Sequence, residues 1–361
     1  MPSARDPSAK PHDTHLGLLD ALHAALRATR PGLADAPLQA MPDKGLAHHH
    51  VRIAGSGVIA RLPKQSQMGL SAQANLEYQA ACFERASASG HAPALRGVLP
   101  PSAQLPRGGL LVEEIQGRAA RLPQDLNAIV QALAAIHSLA LPDAPQRAPL
   151  RDPADPLAAL RDEIGAQAGH LEALQLEPRS RRAIASAFAR VDSAAKTLQA
   201  PPRCLIAFDA HPGNFLVRDD GRAVLVDLEK ARYGEPPLDL AHATLFTSTT
   251  WDVQSYAELS VPQVVHAYET WSGHFNAAAA WRPWLVPLRA AMWLWALTWC
   301  AKWQALSGRQ AAPGADGEDW SSQHSQDALV HHVRERVACY LSAYVIAEVD
   351  AEFVALEREF G

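Results

Sequence analysis

The stretch CLIAFDAHPGNFLVRDDGRAVLVDLEK, residues 204–230, leaves the chain few ways to fold. Two apolar runs, FLVR at 215–218 and AVLVD at 223–227, flank the turn DDG and predict a β-hairpin. A polar insert precedes the hairpin, with Asp209, His211, Gly213 and Asn214 packed into six positions, and Asp227 closes its second strand. The turn therefore brings three oxygen-bearing side chains, Asp209, Asn214 and Asp227, to one end of one hairpin.

Mg²⁺ is a hard ion that takes oxygen ligands, commonly one or two protein groups together with phosphate oxygens. A carboxylate base, an Asn ligand five residues on, and an Asp ligand after a strand form the order used for phosphoryl transfer. Taken alone, HPGN is equally an Asx-rich turn, because Asp, Asn and Gly populate turns anyway. The spacing, the Asp at the strand end and the downstream DLA favour a site.

Composition narrows the partners. With 361 residues, 48% hydrophobic and 20% charged, the chain reads as a soluble globular protein of one large domain or two lobes. A formal charge of -5 provides no basic face for nucleic acid, which is excluded as a main partner. Cys82, Cys204, Cys300 and Cys339 lie far apart without CxxC pairing, so neither a disulfide scaffold nor a zinc site is expected, and a reducing cytoplasm fits. The N-terminal residues lack the apolar run of a secretion signal. The most apolar segment, AAMWLWALTWCA at 290–301, is shorter than the roughly 20 residues that span a bilayer, so it predicts a buried helix and no membrane partner.

The pattern along the chain predicts an α+β protein. Residues 1–14 are expected to be disordered, followed by a helix in LGLLDALHAALRAT. HHVRI and VIARL around AGSG predict a hairpin, SAQANLEYQAACFERASASG a helix ending at Gly90, and LRGVL and GLLVEEI two more strands. Residues 15–116 thus form a small antiparallel sheet lobe, and 117–361 a mostly helical lobe containing the 204–230 hairpin. LPQDLNAIVQALAAIHSLAL is a strong helix, 141–156 a Pro-rich connection, and 307–326 a surface loop. His48, His49 and His50 are adjacent on a strand and point to opposite faces, so they are not expected to converge on one ion.

AFDAHPGN and VDLE resemble the H-G-D-x-H-x-x-N and I-D-[WF]-E motifs of the aminoglycoside phosphotransferase and choline kinase superfamily. The resemblance extends over roughly residues 40–345 and implies a bilobal protein-kinase-like fold that uses ATP and Mg²⁺ to phosphorylate a small-molecule hydroxyl. It implies Asp209 as catalytic base, Asn214 and Asp227 as metal ligands, and Asp239 of ARYGEPPLDLAH as structural support. VIARLP resembles the strand with the phosphate-contacting cation, which implies Arg61, with Lys64 as rival and Glu77 of NLEYQAA as its helix partner. LLVEEIQGR resembles the hinge between lobes, where backbone groups at Glu114 and Ile115 would meet adenine, and LAAIHSL with His137 resembles another recurring segment. Two departures stand out: Ala207 and Phe208 replace the usual His and Gly, and the nucleotide loop MPDKGLAHHHVRI lacks GxGxxG. The first implies either a different brace for the catalytic loop or weakened activity, up to a nucleotide-binding pseudokinase.

All nine tryptophans lie after residue 250, and Trp295, Trp299 and Trp303 recur every four residues on one helical stripe. Such a stripe fits a packed core helix or an aromatic box for a cation. MWLWALTW is similar to the W-G-L-W-S segment of choline and ethanolamine kinases, which implies Trp293 and Trp295 as substrate residues. An aminoglycoside would instead need converging carboxylates, with Asp252, Glu258, Glu269 and Glu318 as candidates; sugars, thiamine and hydroxy-amino acids are further acceptors, and a Trp-rich binder that uses no nucleotide is the rival of another class.

Overall fold

The computed structural model describes residues 11–42, 47–66, 68–310, 320 and 327–360. The first helix runs from Pro11 to Thr29 and takes in residues 11–14 of the segment expected to be disordered; residues 1–10 lie outside the described residues. The loop expected at 307–326 falls largely outside them too, as do positions 43–46 of the nucleotide loop.

Five strands form the N-terminal sheet: β1 (Leu38–Ala40), β2 (His48–Ile53), β3 (Val58–Pro63), β4 (Leu95–Leu99) and β5 (Gly109–Glu113), in the order β1-β2-β3-β5-β4 and antiparallel throughout. The β2–β3 turn places Gly55 and Gly57 at φ 73° and 68°, a region a side chain disfavours. Side chains alternate across a strand. In β5 this sends Leu111 to the face covered by Leu22 and Leu26 of the first helix, and Leu110 and Val112 to the face covered by Leu76 and Phe83 of helix Ala72–Ala86. Both faces are buried, which explains why β5 reads as an unbroken apolar run.

The rest is mostly helical, with two small sheets that carry the site. β6 (Arg118–Ala119), β8 (Phe215–Val217) and β9 (Ala223–Leu225) form one, and β7 (Cys204–Ile206) pairs with β10 (Arg232–Gly234) in the other. β8 and β9 are the hairpin expected from the sequence, with Gly221 at φ 83° in its turn. The short strands β1, β6, β7 and β10 were not expected, because runs of two or three residues carry no periodicity.

Helix Leu285–Leu306 is the axis of this lobe and packs on helices Pro156–Ala168, Pro178–Thr197 and Pro237–Thr244. Apart from Arg289 and its last turn it is apolar nearly all round, because it is surrounded. Its Arg289 is fully buried but satisfied: the guanidinium donates to Thr244 Oγ1 at 2.6 Å, Tyr268 OH at 3.2 Å and Glu352 Oε1 at 2.8 Å. Six of the nine tryptophans, among them Trp271, Trp281 and Trp293, are buried, so the aromatic excess is chiefly a core. Among the described residues no helix is long and apolar enough to cross a membrane.

Glu235, between β10 and helix Pro237–Thr244, is 3% exposed. Burial pushes its carboxyl up to about 7 from an ordinary value near 4.5, Asp155 adds to this, and Arg203 and Arg232 only partly oppose it. Because the folded value is the higher, the stabilisation is complete below about pH 4.5 and is lost as pH rises through about 7. Glu235→Gln stays neutral, so its stability relative to wild type should rise by up to ~3 kcal/mol between about pH 5 and about pH 8.5 in urea unfolding. An equal difference at both pH values would mean that Glu235 ionises freely in the fold.

Candidate active site

Asp209 stands in the loop that leaves β7, and that loop is held from below. Asp239, in the first turn of helix Pro237–Thr244, is wholly buried; its carboxylate accepts the N–H of Ala207 and of Phe208, each at 2.7 Å. It also accepts from His137 Nε2 at 3.0 Å, while His137 Nδ1 accepts the indole N–H of Trp271 at 3.0 Å. An indole only donates, so the His137 proton is on Nε2. The small Ala207 side chain therefore leaves a loop braced through its backbone, which is the first of the two alternatives raised by the missing His.

Phe208 adopts φ 61° and is the one non-glycine residue with positive φ among the described residues. A left-handed conformation costs a non-glycine residue roughly 1–2 kcal/mol. The ring is 1% exposed, lies 3.6 Å from the Arg232 guanidinium carbon and meets the edge of Trp295 at 5.1 Å. Truncating a buried Phe costs about 3–5 kcal/mol, so packing outweighs the backbone strain and accounts for a Phe where a Gly would be easier.

The Asp209 carboxylate accepts from Lys230 Nζ at 2.6 Å, and His242 Nδ1 lies 3.7 Å from its other oxygen. Burial alone would raise this carboxyl, but the Lys230 ammonium holds it below the usual carboxylate range. Burial lowers the imidazoles of His211 and His242, the latter to about 4, so His242 is uncharged at neutral pH. Lys230 was not foreseen. It follows Glu229 in a turn closed by Ala231 N–H on the Leu228 carbonyl at 3.0 Å, and that turn swings the side chain back to Asp209.

Asn214 donates Nδ2 to the Asp209 carbonyl at 2.9 Å, which turns its side-chain oxygen away from that bond. Asp227 accepts from Arg61 Nη2 at 2.6 Å, and Arg61 Nη1 donates to the Val226 carbonyl at 2.9 Å. Burial would raise the Asp227 carboxyl; Arg61 foremost, then His48 and His50, depress it far below the usual range. Arg61 is 3% exposed with its guanidinium 5.3 Å from the Phe83 ring, so one residue of β3 ties the sheet lobe to the end of β9. His48 Nε2 contacts Gln79 Oε1 at 3.0 Å, and His48, Asp227 and Glu229 each turn a ligand atom within 4.8 Å of the others. Burial, then Asp227, raises the Glu229 carboxyl to about 8.

Asp209, Asn214, Asp227, Arg61, Glu114, Ile115 and Trp295 line one cleft of about 740 Å³ between the lobes. Lys64 does not line it. The Glu114 N–H is taken by the Gly57 carbonyl at 2.8 Å and its carboxylate by Arg52 at 2.7 Å, while Glu114 and Ile115 both line the cleft. Two expectations need correction. Glu77 does not partner Arg61; it is exposed and accepts from Gln73 Nε2 at 2.7 Å. Trp293 does not line the cleft; it is fully buried with its edge 5.7 Å from Phe353.

No curated protein matches the chain. Among solved structures it is similar to a choline/ethanolamine kinase family protein from Mesorhizobium loti, with 18% identity, a TM-score of 0.58, and 93% of this chain and 99% of that one covered. It is also similar to the Plasmodium vivax ethanolamine kinase, with 12% identity, a TM-score of 0.58 and coverage of 96% and 93%. A third is spectinomycin phosphotransferase, solved with ADP and spectinomycin, at 13% identity, a TM-score of 0.60 and coverage of 92% and 98%. At these identities the likeness speaks for the bilobal fold. A sequence model of the phosphotransferase enzyme family matches residues 50–284, more than half the chain and the stretch that carries Arg61, Asp209, Asn214 and Asp227, so this protein belongs to that family of small-molecule kinases.

Proposed function

We propose that the protein transfers the γ-phosphoryl group of ATP to a hydroxyl of a small molecule, using Mg²⁺. The observation that carries this reading is the convergence of Asp209, Asn214, Asp227 and Arg61 on one cleft between the lobes. The donor set suits a hard cation: Asn214 keeps an amide oxygen clear of its bond to Asp209, and Asp227 gives only one carboxylate oxygen to Arg61. When bound there, Mg²⁺ would offset charge on the phosphates.

The chain's own residues supply orientation and charge. Asp209 accepts the acceptor hydroxyl's proton as its oxygen forms the new P–O bond, the bond from the γ-phosphorus to the bridging oxygen breaks, and ADP departs with that electron pair. A carboxylate held in its ionised form by Lys230 serves chiefly to orient that hydroxyl and takes the proton late. On this reading Arg61 would meet the phosphates and the backbone at Glu114 and Ile115 the adenine; all three residues line the same cleft. Positioning and fixed charge do most of the work in such a reaction.

Calorimetric titration with ATP tests the reading. Arg61→Met and Asp227→Asn should each weaken Mg²⁺-dependent binding by about 10- to 100-fold, whereas Glu77→Gln should change it less than about twofold. ATP binding that is indifferent to Mg²⁺ and to Asp227 would remove the metal ligands, and absence of binding would remove the phosphotransferase reading.

A further inference from the structure

Beyond Asp209 the cleft continues into the helical lobe, where Thr247, Ser248, Trp251, Trp299, Val333 and Tyr340 form its wall. Trp251 meets the edge of Trp299 at 5.9 Å and lies 6.2 Å from Tyr340, so the surface is largely aromatic. Its polar groups are neutral. Thr247 Oγ1, Ser248 Oγ and His211 Nδ1 are buried without a hydrogen-bond partner, and buried polar atoms of this kind are normally satisfied. An acceptor with hydroxyl or ether oxygens would satisfy them.

The cation position between Asp209 and Trp295 is already occupied. Lys230 Nζ lies 5.4 Å from the centre of the Trp295 ring and 2.6 Å from Asp209 Oδ2. The indole N–H of Trp295 donates to Glu163 at 2.9 Å, and that carboxylate also accepts from Arg232 at 3.1 Å. Asp252, the other described carboxylate at this end, holds its own loop through one oxygen, Oδ1, which accepts the N–H groups of Gln254 and Ser255 at 2.7 and 3.3 Å. Glu258 accepts from Tyr256 OH on the exposed surface, Glu269 is exposed on helix Val261–His274, and Glu318 lies outside the described residues. The carboxylates a polyamine would need do not converge among the described residues.

Resting on the phosphotransferase reading, we propose that the acceptor is an uncharged alcohol with an apolar body, and that Lys230 bars cationic alcohols by filling the cation position between Asp209 and Trp295 itself. The acceptor oxygen takes the phosphoryl group and its proton passes to Asp209, as above. A positive acceptor would have to sit beside a buried ammonium group or displace it from its carboxylate, and like-charge contact of this kind is a device of specificity.

The test compares two molecules of one shape: choline, and its neutral carbon analogue, in which carbon replaces the quaternary nitrogen. Phosphoryl transfer from ATP with Mg²⁺ and quenching of tryptophan fluorescence are measured for both with the full chain. The neutral analogue is expected to be favoured by at least about tenfold in kcat/KM or in affinity, and Lys230→Met to reduce or reverse that ratio. The wild-type ratio stands without the variant, should the variant fold poorly. Preference for choline, a ratio untouched by Lys230→Met, or no response to the neutral analogue by a protein that binds Mg²⁺-ATP would each overturn the proposal. Failure to bind Mg²⁺-ATP would instead sink the phosphotransferase reading on which it rests.

Discussion

Asp209→Asn is expected to lower kcat for phosphoryl transfer by roughly 10³-fold or more, with Mg²⁺-ATP affinity changed less than about threefold. The amide has the shape of the carboxylate but accepts no proton and faces Lys230 with no charge, so the acceptor hydroxyl loses both its orienting partner and its proton sink. Nucleotide affinity should survive, because Arg61, Asn214 and Asp227 keep their places; Asn214 bonds the Asp209 backbone carbonyl, which the substitution leaves intact. The split between the two readouts carries the argument. A general base of this kind contributes about 10²–10⁴-fold, so a loss below tenfold with any acceptor the wild type uses would remove Asp209 from that role. Loss of nucleotide binding in parallel would mean that the unpaired Lys230 had disordered the loop.

How much of this was legible in the sequence follows from the periods involved. The β8–β9 hairpin was, because its turn and apolar runs are local, and so were Asp209, Asn214 and Asp227, which that hairpin must bring to one end. Both site residues that failed did so by the same geometry. On a helix two residues are separated by about 200°, so neighbours at i and i+2 face opposite ways. Glu77 points to solvent while Gln79 reaches His48; Trp293 enters the core while Trp295 lines the cleft. A W-x-W match on a helix cannot put both indoles into one site. Helix Leu285–Leu306 is buried over most of its surface before its last turn, so its periodicity does not say which face meets the cleft. Lys230 was illegible for another reason: its position depends on the turn after Asp227, where nothing in LEKA distinguishes a swing toward Asp209 from one toward solvent.

Asp239→Asn is expected to cost about 3–5 kcal/mol of stability, as large as deleting the carboxylate altogether, although it preserves shape and most hydrogen-bonding capacity. Three donors converge on its two oxygens: the N–H groups of Ala207 and Phe208 and His137 Nε2. An asparagine has one oxygen, so its NH₂ must face a donor. Turning that NH₂ to His137 does not resolve the conflict, because Nε2 could accept only if the proton moved to Nδ1, where the Trp271 indole N–H already donates. The chain from Trp271 through His137 to Asp239 thus has a fixed direction, and all of it is buried. One donor must remain unpaired in a dry site, and the loop that holds Phe208 in its left-handed conformation loosens with it. Urea unfolding of Asp239→Asn and Asp239→Ala reads this directly. Comparable large losses, with Trp271→Phe recovering part of the Asn variant's deficit by freeing the His137 tautomer, are the expected result; an Asn variant within about 1 kcal/mol of wild type would show that the brace does not depend on charge or on direction.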